Sequence, residues 1–339
     1  MLIKENTNLK PLNSFGIEVY ANTLVELSSN DDFAEFYKSV QNFPKPFYIL
    51  GGGNNTLFTR DFEGTIVKIS NKGIAVTEEN AGELVLECNA GEDWNDVVNF
   101  TTTRKLYGLE NLIDIPGQAG SAPIQNIGAY GAEVKDTIDS VKFLDLETGE
   151  FKEFDNKECE FEYRSSIFKR KYKNKVIITS VKFRLQKNGR LKTDYGIINE
   201  KLVKKGLTNP APGDIANVIS EIRAEKLPDP KITGNAGSFF KNPVVPKSHR
   251  DRLLKKYPDL VSYKVSEDRY KLAAGWMIDK AGFKGFSKGN AGVHSRQALV
   301  LINKTGKATG KEITGLARLI IDKTVSLFDV ELEPEVNIL

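Results

Sequence analysis

The sequence predicts an α+β fold in three lobes, and two observations carry that expectation. Short runs rich in β-branched and aromatic residues alternate with segments of helical periodicity, which suits mixed layers better than an all-β sandwich. Glycine- and proline-rich punctuation then divides the chain at two places. The strand-like runs are 47–50, 65–69, 84–88, 141–145 and 176–185; the helical patterns are 31–41, 94–105 and 215–225. Asp31, Asp93 and Asp214 stand where an N-cap or first-turn carboxylate is favoured. A strand–helix–strand lobe fits residues 1–70, ended by Asn71-Lys72-Gly73. A strand-rich second lobe fits 71–213. The cluster Asn209-Pro210-Ala211-Pro212-Gly213 reads as its linker to a third lobe, 214–330, with a short segment 331–339 after it. No repeat of fixed period is present.

The 339 residues suffice for two or three lobes with a real core. Cys88 and Cys159 show neither metal-ligand spacing nor a disulfide framework, so a reducing compartment and no metal are expected. Residues 1–11 are polar, and no uncharged apolar run approaches the roughly 18 residues of a membrane span. The expectation is a soluble, cytoplasmic monomer without membrane contact. Forty-eight Lys and Arg against 45 Asp and Glu leave a formal charge of +3, too little for a nucleic-acid footprint. Lys169-Arg170-Lys171 and Lys204-Lys205 read as solvated surface.

Five segments could carry chemistry. In the first, a short apolar strand runs into Gly51, Gly52, Gly53, Asn54 and Asn55. Consecutive glycines let backbone N–H groups approach an anion, yet this is not G-x-G-x-x-G, and a tight turn between strands is the favoured reading of the glycines taken alone. The second, residues 115–131, holds Gly117, Gly120, Ser121, Pro123, Gln125, Asn126 and Gly128 in a stretch neither charged nor serine-rich. Small residues there permit a large flat ligand, and Gln125 and Asn126 can each donate and accept. In the third, Arg164 lies between Tyr163 and two hydroxyls, and its fork suits a carboxylate or phosphate. The fourth runs from Arg223 through Lys226 to Ser238, Phe239, Phe240 and Asn242. Ser238 could be no more than a turn cap, and no G-x-S-x-G elbow supports a hydrolase. The last comprises Trp276 and Ile278, read as core of the third lobe, then Gln297 and the pair Glu333 and Glu335 around Pro334.

In this order and spacing, from Asn6-Thr7 through Asn13-Ser14-Phe15-Gly16 to Glu335, the segments resemble the UDP-N-acetylenolpyruvoylglucosamine reductases. The resemblance implies an FAD-binding module of the vanillyl-alcohol-oxidase (PCMH) type in two lobes, a third α+β substrate-binding lobe, and a segment 331–339 returning to the active site. It implies noncovalent FAD, with NADPH and UDP-N-acetylglucosamine enolpyruvate as substrates. By position, Gly51, Gly52, Gly53, Asn54 and Asn55 match the first FAD loop, and Gly117 through Gly128 the second. Arg164, Ser238 and Glu335 match the family's active-site arginine, proton-donating serine and glutamate. Tyr163, Lys226, Asn242 and Gln297 match substrate-contacting positions, and Tyr195, in Thr193-Asp194-Tyr195-Gly196, resembles the tyrosine of the longer subclass. Asn54 stands where many members carry a small hydroxyl residue. The alternatives are a flavin oxidase of small alcohols on the same module and a nonenzymatic nucleotide-sugar-binding protein.

Overall fold

The computed structural model describes residues 1–339, which form two compact units. The first comprises residues 1–7, 21–52 and 63–225; the second comprises 8–20, 53–62 and 226–339. Mixed α and β elements fill both.

Two larger sheets build most of the first unit. One has the order Leu2–Asn8, Tyr20–Leu27, Phe62–Ile69, Phe47–Leu50, the last pair parallel. The other is antiparallel, in the order Phe151–Asp155, Ile138–Asp145, Val176–Gln186, Glu83–Asn89, Ile74–Glu79. Along Val176–Gln186 the residues are nearly all buried, as a central strand covered on both faces requires. The helix Asn30–Ser39 opens on Ser29, whose hydroxyl accepts from Asp32 N–H in a capping box, so Asp31 lies in the first turn. Trp94–Thr103 opens on Asp93 as its cap. Its Trp94 is fully buried, donates Nε1–H to Leu112 O at 2.8 Å and meets Phe183 edge-to-face. The indole thus fills the core without leaving its donor unpaired.

The proline–glycine cluster behaves differently from its reading as a linker. Pro212 starts the helix Pro212–Lys226, where a missing N–H costs nothing, and the boundary between units falls after Glu225.

In the second unit the strand Gly234–Ser238 pairs antiparallel with Val300–Asn303, followed by Ala291–Val293 and Ser287–Lys288. A smaller sheet is formed by Val244–Pro246, Arg269–Leu272 and Ser262–Lys264. The long helix Gly310–Phe328 starts on a Thr309/Glu312 capping box and buries Ile313, Leu316, Ile320 and Phe328. Ile278 is fully buried, as expected. Trp276 is not: half-exposed, it donates to Asp259 Oδ2 at 3.3 Å and leans on Tyr257 and Phe328, because its indole N–H needs a polar partner at the rim.

The motif Asn13-Ser14-Phe15-Gly16, which sequence reasoning left without a task, buttresses the Gly234–Ser238 strand. The Asn13 amide donates to Leu9 O and Ile17 O and accepts from Ile17 N–H, closing its own loop. Ser14 O then accepts from Asn235 N–H at 3.0 Å, Phe15 O accepts from Asn303 Nδ2, and the Phe15 ring packs edge-to-face on Phe239.

Candidate active site

The first glycine loop is built by constraint. Gly53 has φ +67°, and a Cβ there would stand 1.9 Å from Leu12 O, so neither the conformation nor the space admits another residue. Gly53→Ala is therefore expected to destabilise the protein by about 2–4 kcal/mol and to lower the fraction that retains ligand in this loop. A melting curve of the purified variant indistinguishable from the parent's would contradict this. Thr56–Leu57, next in the chain, pairs in parallel with Asn337–Ile338.

Gly51 lies against the second loop. A Cβ on it would meet Gln118 Oε1 at 3.1 Å, and that oxygen is buried without a donor, although Gln118 Nε2 donates to Ile69 O and Gly91 O. A buried acceptor left open beside a side-chain-free cradle is what a bound group with hydroxyls or N–H donors would complete. The second loop hangs from the segment 90–94: Gly120 N–H donates to Ala90 O, Ala119 N–H to Glu92 O, and Trp94 N–H to Gly117 O. Ser121 Oγ bridges Gln118 O and N–H.

Two residues of this loop also hold the protein itself together. Gly120 is buried with Ala90 Cβ 2.5 Å from where its own Cβ would be, so its smallness serves chain packing. Asn126 is fully buried, its Nδ2 donating to Glu162 O and its Oδ1 accepting from Lys135 N–H, so both ends of the amide are spent inside the protein. Pro123 is buried, whereas Gln125 and Gly128 are half-exposed and Ile124 is 38% exposed.

Arg164, at φ +53°, donates Nη2–H to Gly128 O at 2.6 Å and Nη1–H to Asn126 O at 3.4 Å. The fork is thereby fixed on the second glycine loop, with Tyr163 beneath it at 5.4 Å. Tyr163 and Tyr195 are both largely exposed, and Tyr195 meets Tyr130 edge-to-face at 5.5 Å. Sequence reasoning gave Arg223 no role. Its guanidinium is buried, donates to Asp114 O and leaves Nε unpartnered; burial pulls its pKa down, with Tyr130 and Asp114 opposing. Tyr130 and Asp114 thus supply the electron-rich and negative groups that a buried guanidinium requires. Its Arg-Ala-Glu-Lys setting carried no signal of burial.

In the second unit Ser238 is exposed, immediately before the fully buried Phe239 and Phe240. An irregularity between Asn235 and Ser238 breaks the strand register and re-aims the serine. Glu335 N–H donates to Phe239 O at 2.8 Å, and Phe240 bridges to Pro334, so the glutamate segment runs alongside the serine strand. Asn242 Oδ1 accepts from Ala274 N–H, and Gln297 Oε1 from Leu299 N–H. Both amides thus commit their acceptor to the backbone and keep their NH₂ for another partner, the polarity a phosphate requires. Lys226 is exposed and forms no ion pair. No cluster of three or more His, Cys, Asp or Glu could hold a metal ion, and no helix is long and apolar enough to cross a membrane.

Residues 21–155 match the family described as FAD binding domain. With the two glycine loops this defines the chain as an FAD-dependent oxidoreductase. Residues 229–339 match the family described as UDP-N-acetylenolpyruvoylglucosamine reductase, C-terminal domain. Relatives named UDP-N-acetylenolpyruvoylglucosamine reductase include one from Pseudomonas aeruginosa, 44% identical over 99% of this chain and 98% of its own. Another, from Flavobacterium johnsoniae, is 44% identical over the full length of both chains. The solved UDP-N-acetylenolpyruvylglucosamine reductase of Thermus caldophilus shares the fold, with a TM-score of 0.67 over 99% of each chain at 21% identity. The chain belongs to the UDP-N-acetylenolpyruvoylglucosamine reductase family.

Proposed function

We propose that this protein reduces UDP-N-acetylglucosamine enolpyruvate to UDP-N-acetylmuramate at the expense of NADPH, as a step in peptidoglycan precursor synthesis. The observation that carries the proposal is the 44% identity over almost the whole length to reductases of that name, together with the seating of Glu335 beside the Ser238 strand. We assign FAD to Gly51, Gly52, Gly53, Asn54 and Asn55 and to the second loop at Gly117, Ser121, Gln125 and Gly128; the open Gln118 acceptor beside Gly51 supports that fit. The first unit, which runs through Glu225, would make up the FAD module, with 226–330 for substrate and 331–339 bringing Glu335. Attachment is noncovalent in this reading, because neither loop contains His or Cys and both Cys88 and Cys159 are buried, burial pushing the Cys159 thiol up to about 12.

The chemistry that FAD supplies when bound is two-electron transfer between NADPH and the enol ether. Reduction adds hydride to the terminal CH₂ carbon of the enolpyruvyl group, leaving an electron pair on the carbon that bears the carboxylate. Arg164 supplies fixed positive charge to that carboxylate, and Glu335, in its protonated form, donates a hydrogen bond to the charge that builds there. Ser238 Oγ–H delivers the proton that completes the saturated carbon and recovers one from solvent. Tyr163, Tyr195, Lys226, Asn242 and Gln297 hold the nucleotide sugar, the two amides through the NH₂ groups their backbone bonds leave outward. One chain carries every residue used, so a monomer suffices.

Anaerobic mixing tests the assignment. The protein as purified should be yellow, bleach with NADPH and recover its colour on adding the enolpyruvyl sugar. A colourless protein, or one whose colour returns only with oxygen, would rule the proposal out.

A further inference from the structure

The carbonyl of Asn55, the final residue of the first glycine loop, accepts two hydrogen bonds from one residue: Asn337 N–H and Asn337 Nδ2–H, each at 3.0 Å. Asn55 returns its own Nδ2–H to Glu335 O at 3.3 Å. The backbone N–H of Glu335 is meanwhile held by Phe239 O, one residue from Ser238, and Lys241 N–H is held by Glu333 O. Glu335 is therefore suspended between the loop on one side and the serine strand on the other. The only side-chain amides in this linkage are Asn55 and Asn337. The Asn337 N–H bond belongs to the short parallel ladder, so the Nδ2–H bond to the same oxygen is an addition that the ladder itself does not require.

We propose that Asn337 is a positioning residue for Glu335: with Asn55 it forms an amide clamp that makes the placement of Glu335 depend on the conformation of the Gly53-Asn54-Asn55 turn. The inference rests on the roles assigned above to that loop and to Glu335. Filling the loop then locks the glutamate, and an empty loop leaves it loose. Removing the Asn337 side-chain amide leaves Asn55 O held by the Asn337 N–H alone, which loosens the Asn55 contact to the Glu335 carbonyl, and displacement of a reacting group by about 1 Å can cost about 100-fold in rate.

The decisive variant is Asn337→Asp, which keeps size and shape but replaces the donor with an acceptor facing Asn55 O. In the parent, FAD added to apoprotein should slow hydrogen exchange at the amides of Glu335 and Asn337; in Asn337→Asp that slowing should be lost. The holoenzyme of the variant should bleach with NADPH within about twofold of the parent. It should reoxidise with the enolpyruvyl sugar about 10- to 100-fold more slowly at unchanged KM, with an altered pH profile, and Asn337→Gln should recover part of the rate. An Asn337→Asp enzyme that reoxidises at the parent's rate and pH profile overturns the clamp, as does an equal slowing of both halves of the cycle. A parent that fails to turn over the enolpyruvyl sugar overturns the functional assignment instead.

Discussion

Ser238→Ala is expected to separate the two halves of the catalytic cycle. Bleaching by NADPH places no proton on the sugar substrate, so the variant should reduce at close to the parent's rate. Reoxidation by the enolpyruvyl sugar needs a proton at the carbon beside the carboxylate, and that half should slow by about 100- to 10,000-fold, the span of general-acid contributions. The structure favours a clean experiment. Ser238 is exposed and its side chain forms no hydrogen bond within the protein, while the buried Phe239 and Phe240 behind it hold the strand. Stopped-flow absorbance of the two half-reactions reads the result. Slow bleaching with normal reoxidation would show that Ser238 is not the proton donor.

The second large effect concerns Glu335. Glu335→Ala removes the hydrogen-bond donor to the developing charge, and one such donor is typically worth about 3–4 kcal/mol, or roughly 100- to 1,000-fold. Glu335→Gln keeps a donor of similar length and should lose markedly less. Both variants preserve the backbone bonds of Glu335 to Phe239 and Asn55, so the segment should stay in place. Single-turnover rates of reoxidation rank the three proteins; equal losses for Ala and Gln would mean that the carboxylic acid acts by something other than donation.

Much of the fold was legible because periodic patterns and caps are local. The strand Phe47–Leu50 was readable to the residue, and Asp93 as the cap of Trp94–Thr103 followed from its place before an apolar periodic run. The helix Gly310–Phe328 carried an equally readable signal in Thr309-x-x-Glu312 and the spacing of Ile313, Leu316, Ala317 and Ile320, and was overlooked. Other features had no local signal. Asn337–Ile338 pairing with Thr56–Leu57 involves two residues on each side, too few for any period, across most of the chain. The sequence likewise lists the donors and acceptors of Asn126 without revealing that Glu162 O and Lys135 N–H consume them. Which polar groups stay open for a ligand is decided by partners distant in sequence, and so is the burial of Arg223.

The second unit draws on residues 8–20 and 53–62 as well as 226–339. In synthesis at about 5–20 residues per second, the early pieces leave the ribosome on the order of 10–40 s before their partners exist. Phe15, Leu57 and Phe58, each fully buried in the finished molecule, spend that interval without the strands that cover them. The nascent chain therefore passes through a stage in which this apolar surface is a natural substrate for chaperones. A gene fragment encoding residues 226–339 alone would lack these side chains, and with them part of its own hydrophobic core.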